Sequence, residues 1–124
     1  RYDAAVLVVD DDPVNRLVAT LQLRELGAAV TTAENGDEAW ALLQERPFDV
    51  AFIDVQMPGM SGLDLVRLVR TLPAPHPLMA VMTASATAAD QQAAGDAGAD
   101  LFVPKPATVS DIRATLQRHH DSTR

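Results

Sequence analysis

The apolar run AAVLVV (Ala4–Val9) ends abruptly in three acids, Asp10, Asp11 and Asp12. Like charges at about 4 Å repel by roughly 4 kcal/mol in an effective dielectric of about 20. Three carboxylates together suit a hard divalent cation such as Mg²⁺ (or Mn²⁺), which takes oxygen ligands and keeps several waters. A bound cation would offset the repulsion. Asp54 closes a second apolar run, VAFI, and its carboxylate can also act as a nucleophile toward phosphorus. Thr83 and Lys105 close two further apolar runs. A hydroxyl donor and an ammonium there could neutralise charge developing on a transferred phosphoryl group. Each residue alone has a plainer reading. An aspartate after a strand is commonly a turn or cap residue, and Asp12, just before Pro13, reads best as a helix N-cap. Thr83 alone is an ordinary strand end and Lys105 alone a solvated charge. The joint reading depends on a fold that brings these termini together.

That fold is legible in the alternation of segments. Ala5–Val9, Val50–Ile53 and Leu78–Met82 are short, apolar and rich in branched residues, as in strands buried on both faces of a parallel sheet. Ala28–Ala33 and Leu101–Val103 are weaker strands of the same type. Helical patterns lie between them. The first runs from Pro13 to Leu26, with Val14, Leu17, Val18, Leu21 and Leu26 near one face and Gly27 as its stop. Asn35 opens the second, with Glu38 three residues on; Ala39, Trp40 and Leu43 form its apolar side. The third spans Leu63–Arg70, the fourth Ala88–Ala97, and the fifth runs from about Ser110 to His119. Five β-α units with right-handed crossovers predict an α/β class fold: a single doubly wound five-stranded parallel sheet in the order 2-1-3-4-5, flavodoxin-like. In that order Asp10, Asp11, Asp54, Thr83 and Lys105 share one edge of the sheet.

Length and composition agree with one domain over residues 1–124. The net charge of −7 disfavours phosphate-backbone binding and suits a cation or a basic partner surface. With no cysteine, disulfides, thiolate chemistry and Cys-based zinc sites are excluded. No apolar run reaches the length of a membrane helix, so the simplest location is the cytoplasm, with no membrane contact by this domain. No nucleotide-binding glycine motif occurs. The chain opens on Arg1 and reads as a piece of a longer protein. His119 and His120 close a helix and read as solvated.

VVDDDPVNR (Val8–Arg16), IDVQMPGMSG (Ile53–Gly62), MTA (Met82–Ala84) and AGADLFVPKP (Ala97–Pro106) together resemble the receiver domains of two-component response regulators, and most of all those attached to hybrid histidine kinases. The resemblance implies that Asp54 is the phosphoacceptor and forms an acyl phosphate. It implies that Asp11 and Asp54 touch the metal directly, Asp10 acts mostly through water, and the backbone carbonyl of Gln56 completes the protein ligands. Thr83 would bond the phosphoryl oxygen, Lys105 would pair with it, and the Lys105–Pro106 bond would be cis. Phe102 would be the switch aromatic, turning inward as Thr83 moves, and the α4-β5-α5 face would carry the output. The donor would be a histidine kinase or a histidine phosphotransfer protein. Such a domain catalyses its own phosphorylation and slow autodephosphorylation without being a conventional turnover enzyme.

Departures from the family pattern are few. Ser61 replaces a common acid in a loop and should matter little. Pro104 removes a backbone donor, which an edge strand tolerates. Gln56 and Ser85 occupy positions that tune hydrolysis in the family. The fourth helix, mostly Ala, Gln and Asp, should be weakly anchored, so amide exchange over residues 86–98 should exceed that of the first helix. Two rival readings remain at this stage. A pseudo-receiver would be an interaction module that is never phosphorylated. Asp10-x-Asp12-x-Val14 also matches the nucleophile motif of haloacid-dehalogenase-like phosphohydrolases, which would make Asp10, not Asp54, the labelled residue.

Overall fold

The structure is a computed structural model that describes residues 1–85 and 87–123. Its elements alternate strictly: β1 (Ala5–Val9), α1 (Pro13–Glu25), β2 (Ala29–Ala33), α2 (Gly36–Glu45), β3 (Val50–Asp54), α3 (Gly62–Arg70), β4 (Leu78–Thr83), α4 (Ala88–Ala97), β5 (Leu101–Pro104) and α5 (Val109–Ser122). All five strands are parallel in the order β2-β1-β3-β4-β5. The fold matches the sequence expectation, with α5 continuing three residues beyond His119.

Burial explains the strand compositions. β3 is buried along its whole length and β4 from Met79 to Thr83, because helices cover both faces of the sheet centre. Two apolar layers result. One gathers Leu7, Val9, Ile53, Leu65, Met79 and Val81 under α2, α3 and α4. The other gathers Val6, Val8, Leu23, Phe52, Ile112 and Leu116 under α1 and α5. Each such side chain contributes about 1.5–3 kcal/mol on leaving water. β2 and β5 are the sheet edges, and Pro104 on β5 is exposed.

Local chemistry sets the helix starts. The Asp12 carboxylate accepts the Val14 N–H at 2.8 Å, and Pro13 fills the first helical position. Asn35 accepts the Glu38 N–H at 2.8 Å. Ser61 is a correction: it caps α3 and forms a reciprocal box with Asp64, so its replacement by alanine carries the usual cap cost of about 0.5–2 kcal/mol. Thr108 and Asp111 do the same for α5.

Helix α1 supplies a second correction. Val14, Leu17, Val18 and Leu21 do not face the core; they are 64, 58, 47 and 57% exposed. The face turned to the sheet carries Arg16, Ala19, Thr20 and Leu23. Small residues let the helix approach closely, the Thr20 hydroxyl donates back to the Arg16 carbonyl at 2.7 Å, and Leu23 is the one large side chain fully buried there. On the same face the Arg16 guanidinium donates to the Asp10 carbonyl at 2.8 Å, at the end of β1, so the face turned to the sheet is not the one that apolar periodicity marks. His119 is also less solvated than its position suggested: its ring sits 3.8 Å from the Asp49 carboxylate with 20% of the side chain exposed.

Candidate functional site

The carboxyl ends of β1, β3, β4 and β5 meet at one rim. Carboxylate oxygens of Asp10, Asp11 and Asp54 all lie within 4.8 Å of one another. Lys105 Nζ stands 3.2 Å from Asp54 Oδ2 and 3.3 Å from Asp10 Oδ2. Residues 95 positions apart therefore share one ion-pair cluster. Asp10 and Asp54 are buried, Asp11 is exposed, and Thr83 is buried at the end of the neighbouring strand.

Each position has a local cause. β1 stops at Val9, and Asp10 Oδ1 accepts the Asp12 N–H at 2.9 Å, turning the chain into α1. Asp54 Oδ1 accepts the Gln56 N–H at 3.2 Å, which fixes the carboxylate and bends the loop so that Gln56 lies beside it. The Thr83 hydroxyl accepts the Ser85 N–H at 3.1 Å. Lys105 donates its backbone N–H to the Thr83 carbonyl at 2.8 Å, extending the ladder past Pro104, and the Lys105–Pro106 bond is cis. Phe102 is half-buried against the layer containing Val81.

Charge and burial oppose each other here. Burial pushes the Asp54 carboxyl above its ordinary value; Lys105 pulls it down, and the like charge of Asp10 pushes it up again. For Lys105 burial disfavours the ammonium, but Asp54 and Asp10 outweigh it and hold the pKa above the usual lysine range. One ammonium between two buried carboxylates leaves the cluster short of positive charge. Three aspartates with no nitrogen or sulfur donor are a hard-oxygen set, which fits a divalent cation of the Mg²⁺ type.

Gly62 carries a role that spacing did not reveal. A Cβ there would stand 2.2 Å from the Asp54 carbonyl oxygen, because α3 starts directly against the end of β3. Only glycine permits that approach, and the Gly62 N–H donates to the Val55 carbonyl at 2.9 Å. The signal in the sequence was the glycine itself, eight residues after Asp54.

A doubly wound parallel sheet that gathers acids, a threonine and a lysine at its carboxyl rim defines the CheY-like class of flavodoxin-type folds. Within that class, residues 6–117 match the response regulator receiver domain, and the chain belongs to this family. The chain is 36% identical over 122 residues to the sensor histidine kinase RcsC of Escherichia coli K12, covering 98% of this chain and 13% of that protein. It thus spans about an eighth of that relative's length. Chemotaxis protein CheY4 of Vibrio cholerae is 33% identical, with a TM-score of 0.83 over 94% of this chain and 98% of that one. The fold is also that of a co-crystal structure of the Saccharomyces cerevisiae histidine phosphotransfer signalling protein Ypd1 with the receiver domain of its downstream response regulator Ssk1, at TM-score 0.91 and 21% identity over 98% and 92% of the two chains. Among the described residues no helix is long and apolar enough to cross a membrane.

Proposed function

We propose that this domain accepts a phosphoryl group on Asp54 from a phosphohistidine of a histidine kinase or histidine phosphotransfer protein. The observation that carries the reading is the gathering of Asp10, Asp11 and Asp54 within 4.8 Å, with Lys105 bridging two of them. An Asp54 carboxylate oxygen attacks phosphorus, the P–N bond to the histidine breaks as the O–P bond forms, and the imidazole leaves. Lys105 pairs with the incoming oxygens, and the Thr83 hydroxyl donates to one of them. Asp11, Asp54 and the Gln56 carbonyl would hold Mg²⁺ or Mn²⁺ directly, with Asp10 acting through water, and the cation supplies charge neutralisation for the transfer. Raised basicity at Lys105 keeps the ammonium charged throughout the physiological range.

The new phosphoryl group adds negative charge and acceptor oxygens at the rim. Thr83 is drawn toward it, Phe102 turns into the space vacated, and the face formed by α4, β5 and α5 is biased between two conformations. The donor must cover the same rim. The exposed apolar stripe of α1 begins beside Asp11 and Asp12, and with the net charge of −7 it suits a partner with an apolar, basic-rimmed face.

The test is phosphotransfer from candidate kinases to this chain and to Asp54→Ala, with and without Mg²⁺. Labelling should require both Asp54 and the cation. Labelling retained in the variant overturns the assignment, and a label on Asp10 instead supports a haloacid-dehalogenase-like hydrolase. No labelling from any donor, acetyl phosphate included, supports a pseudo-receiver.

A further inference from the structure

Asp10 has all its polar atoms engaged. Its N–H donates to the Ala33 carbonyl at 3.2 Å, Oδ1 accepts from Asp12 N–H, and Oδ2 accepts from Lys105. Its carbonyl oxygen accepts from Arg16 Nη1 at 2.8 Å. Two of these partners, Lys105 and Arg16, act through their side chains, and Arg16 has no part in the chemistry above. Its side chain is only 16% exposed, reaches back across the first turn of α1, and brings Nη2 to 3.6 Å from the Glu34 carboxylate in the turn after β2. A planar fork can serve two acceptors in this way; a lysine serves one as a point charge.

We infer that Arg16 is a positioning residue for cation binding: it pins the carbonyl at the bend between Asp10 and Asp11, so that both carboxylates face Asp54. This rests on the divalent-cation reading of the site. Two effects of opposite sign are in play. As a positive charge near three carboxylates, Arg16 repels an incoming dication, so loss of the charge alone would tighten binding. As a brace, it holds a bend that the cation would otherwise have to order, so loss of the brace would weaken binding. The contacts favour the brace. The guanidinium touches a backbone carbonyl and lies beside Glu34, which offsets its charge, and it makes no contact with the Asp11 or Asp54 carboxylates. Mg²⁺ demands near-ideal ligand geometry, so a loose bend is penalised.

Calorimetric titration of Mg²⁺ into the wild-type chain, Arg16→Lys and Arg16→Gln separates the two. Arg16→Gln should weaken Mg²⁺ binding by about tenfold, as for other outer-shell partners of a metal site. Arg16→Lys, which keeps the charge and one contact, should lose less. Thermal melts without cation check that both variants remain folded, and Arg16→Lys carries the test if the glutamine variant does not. Unchanged or tighter binding in a folded variant overturns the inference. A wild-type chain that binds no Mg²⁺ instead removes the cation reading on which it rests.

Discussion

At Asp54 burial and charge pull against each other, and the balance has a pH signature. Its folded pKa lies above the unfolded value, burial being the largest cause. The group therefore contributes stability below the unfolded pKa and loses it as pH rises through the folded pKa. At neutral pH the ionised Asp54 is a cost to folding. Asp54→Asn should raise the melting temperature of the cation-free domain by a few degrees at neutral pH, with the gain vanishing in acid; a variant that melts lower at neutral pH refutes this. The same shift governs the cation. Acidification should weaken Mg²⁺ binding at a higher pH than ordinary exposed aspartates would require, measurable by titration calorimetry at stepped pH. Lys105 is also shifted upward, by the Asp54 and Asp10 carboxylates, which outweigh its burial: its stabilising pairing persists up to the ordinary lysine pKa and is lost only as pH climbs through the folded value.

Among the elements, α1 and α4 depart furthest from a plain structural role. α1 presents Val14, Leu17, Val18 and Leu21 to solvent next to the rim, where a protein donor would dock under the proposed function. Leu17→Ser combined with Val18→Ser should slow phosphotransfer from a protein donor by about tenfold, since interface side chains of this kind carry about 1–2 kcal/mol. Labelling by acetyl phosphate, which needs no docking, should be unchanged; equal loss with both donors would place the effect in the site rather than the surface. α4 buries only Ala94 and Ala97, and its start is held by short polar links. The Thr87 hydroxyl caps it through the Asp90 N–H, and Asp90 accepts from both Ser85 and Thr87, which together hold its carboxyl below the ordinary range. Its C-terminal end is tied to α3 by Arg70, which donates to the Gly98 carbonyl at 2.6 and 2.9 Å. Amide exchange should therefore be faster over residues 87–98 than over α1, and fastest at the N-terminal end (Ala86, at the start of the stretch marked out from the sequence, lies outside the described residues). Protection equal to that of α1 would contradict weak anchoring.

For the whole molecule, the proposed cation binding would be linked to folding, because the three carboxylates converge only when β1 and β3 pair. A ligand bound by the folded state alone stabilises it by about 2.7 kcal/mol at a hundredfold excess over its Kd. Mg²⁺ should raise the melting temperature in a concentration-dependent way, chelator should reverse the rise, and Asp11→Asn should blunt it. A melting temperature indifferent to Mg²⁺ would separate the acidic cluster from any cation role. The sheet forces three acids to one edge of a chain of net charge −7, Lys105 supplies part of the balancing charge, and on the proposed reading a cation would supply the rest.

Element types, strand order and the gathering of Asp10, Asp11, Asp54 and Lys105 at one rim followed from the linear chain, because buried parallel strands are apolar runs of fixed length and the charged residues interrupt them abruptly. Those signals are local, and β-α alternation leaves few ways to assemble them. Two other features were settled by tertiary contacts. The rotation of α1 turns Arg16 toward the Asp10 carbonyl and Leu23 into the core, against its apolar periodicity. Gly62 became indispensable only because the start of α3 presses on the Asp54 carbonyl, whereas the Ser61–Asp64 box is a local signal that the sequence already carried. Periodicity reports which residues prefer to leave water, whereas close approach and polar satisfaction depend on neighbours that the chain brings together only on folding.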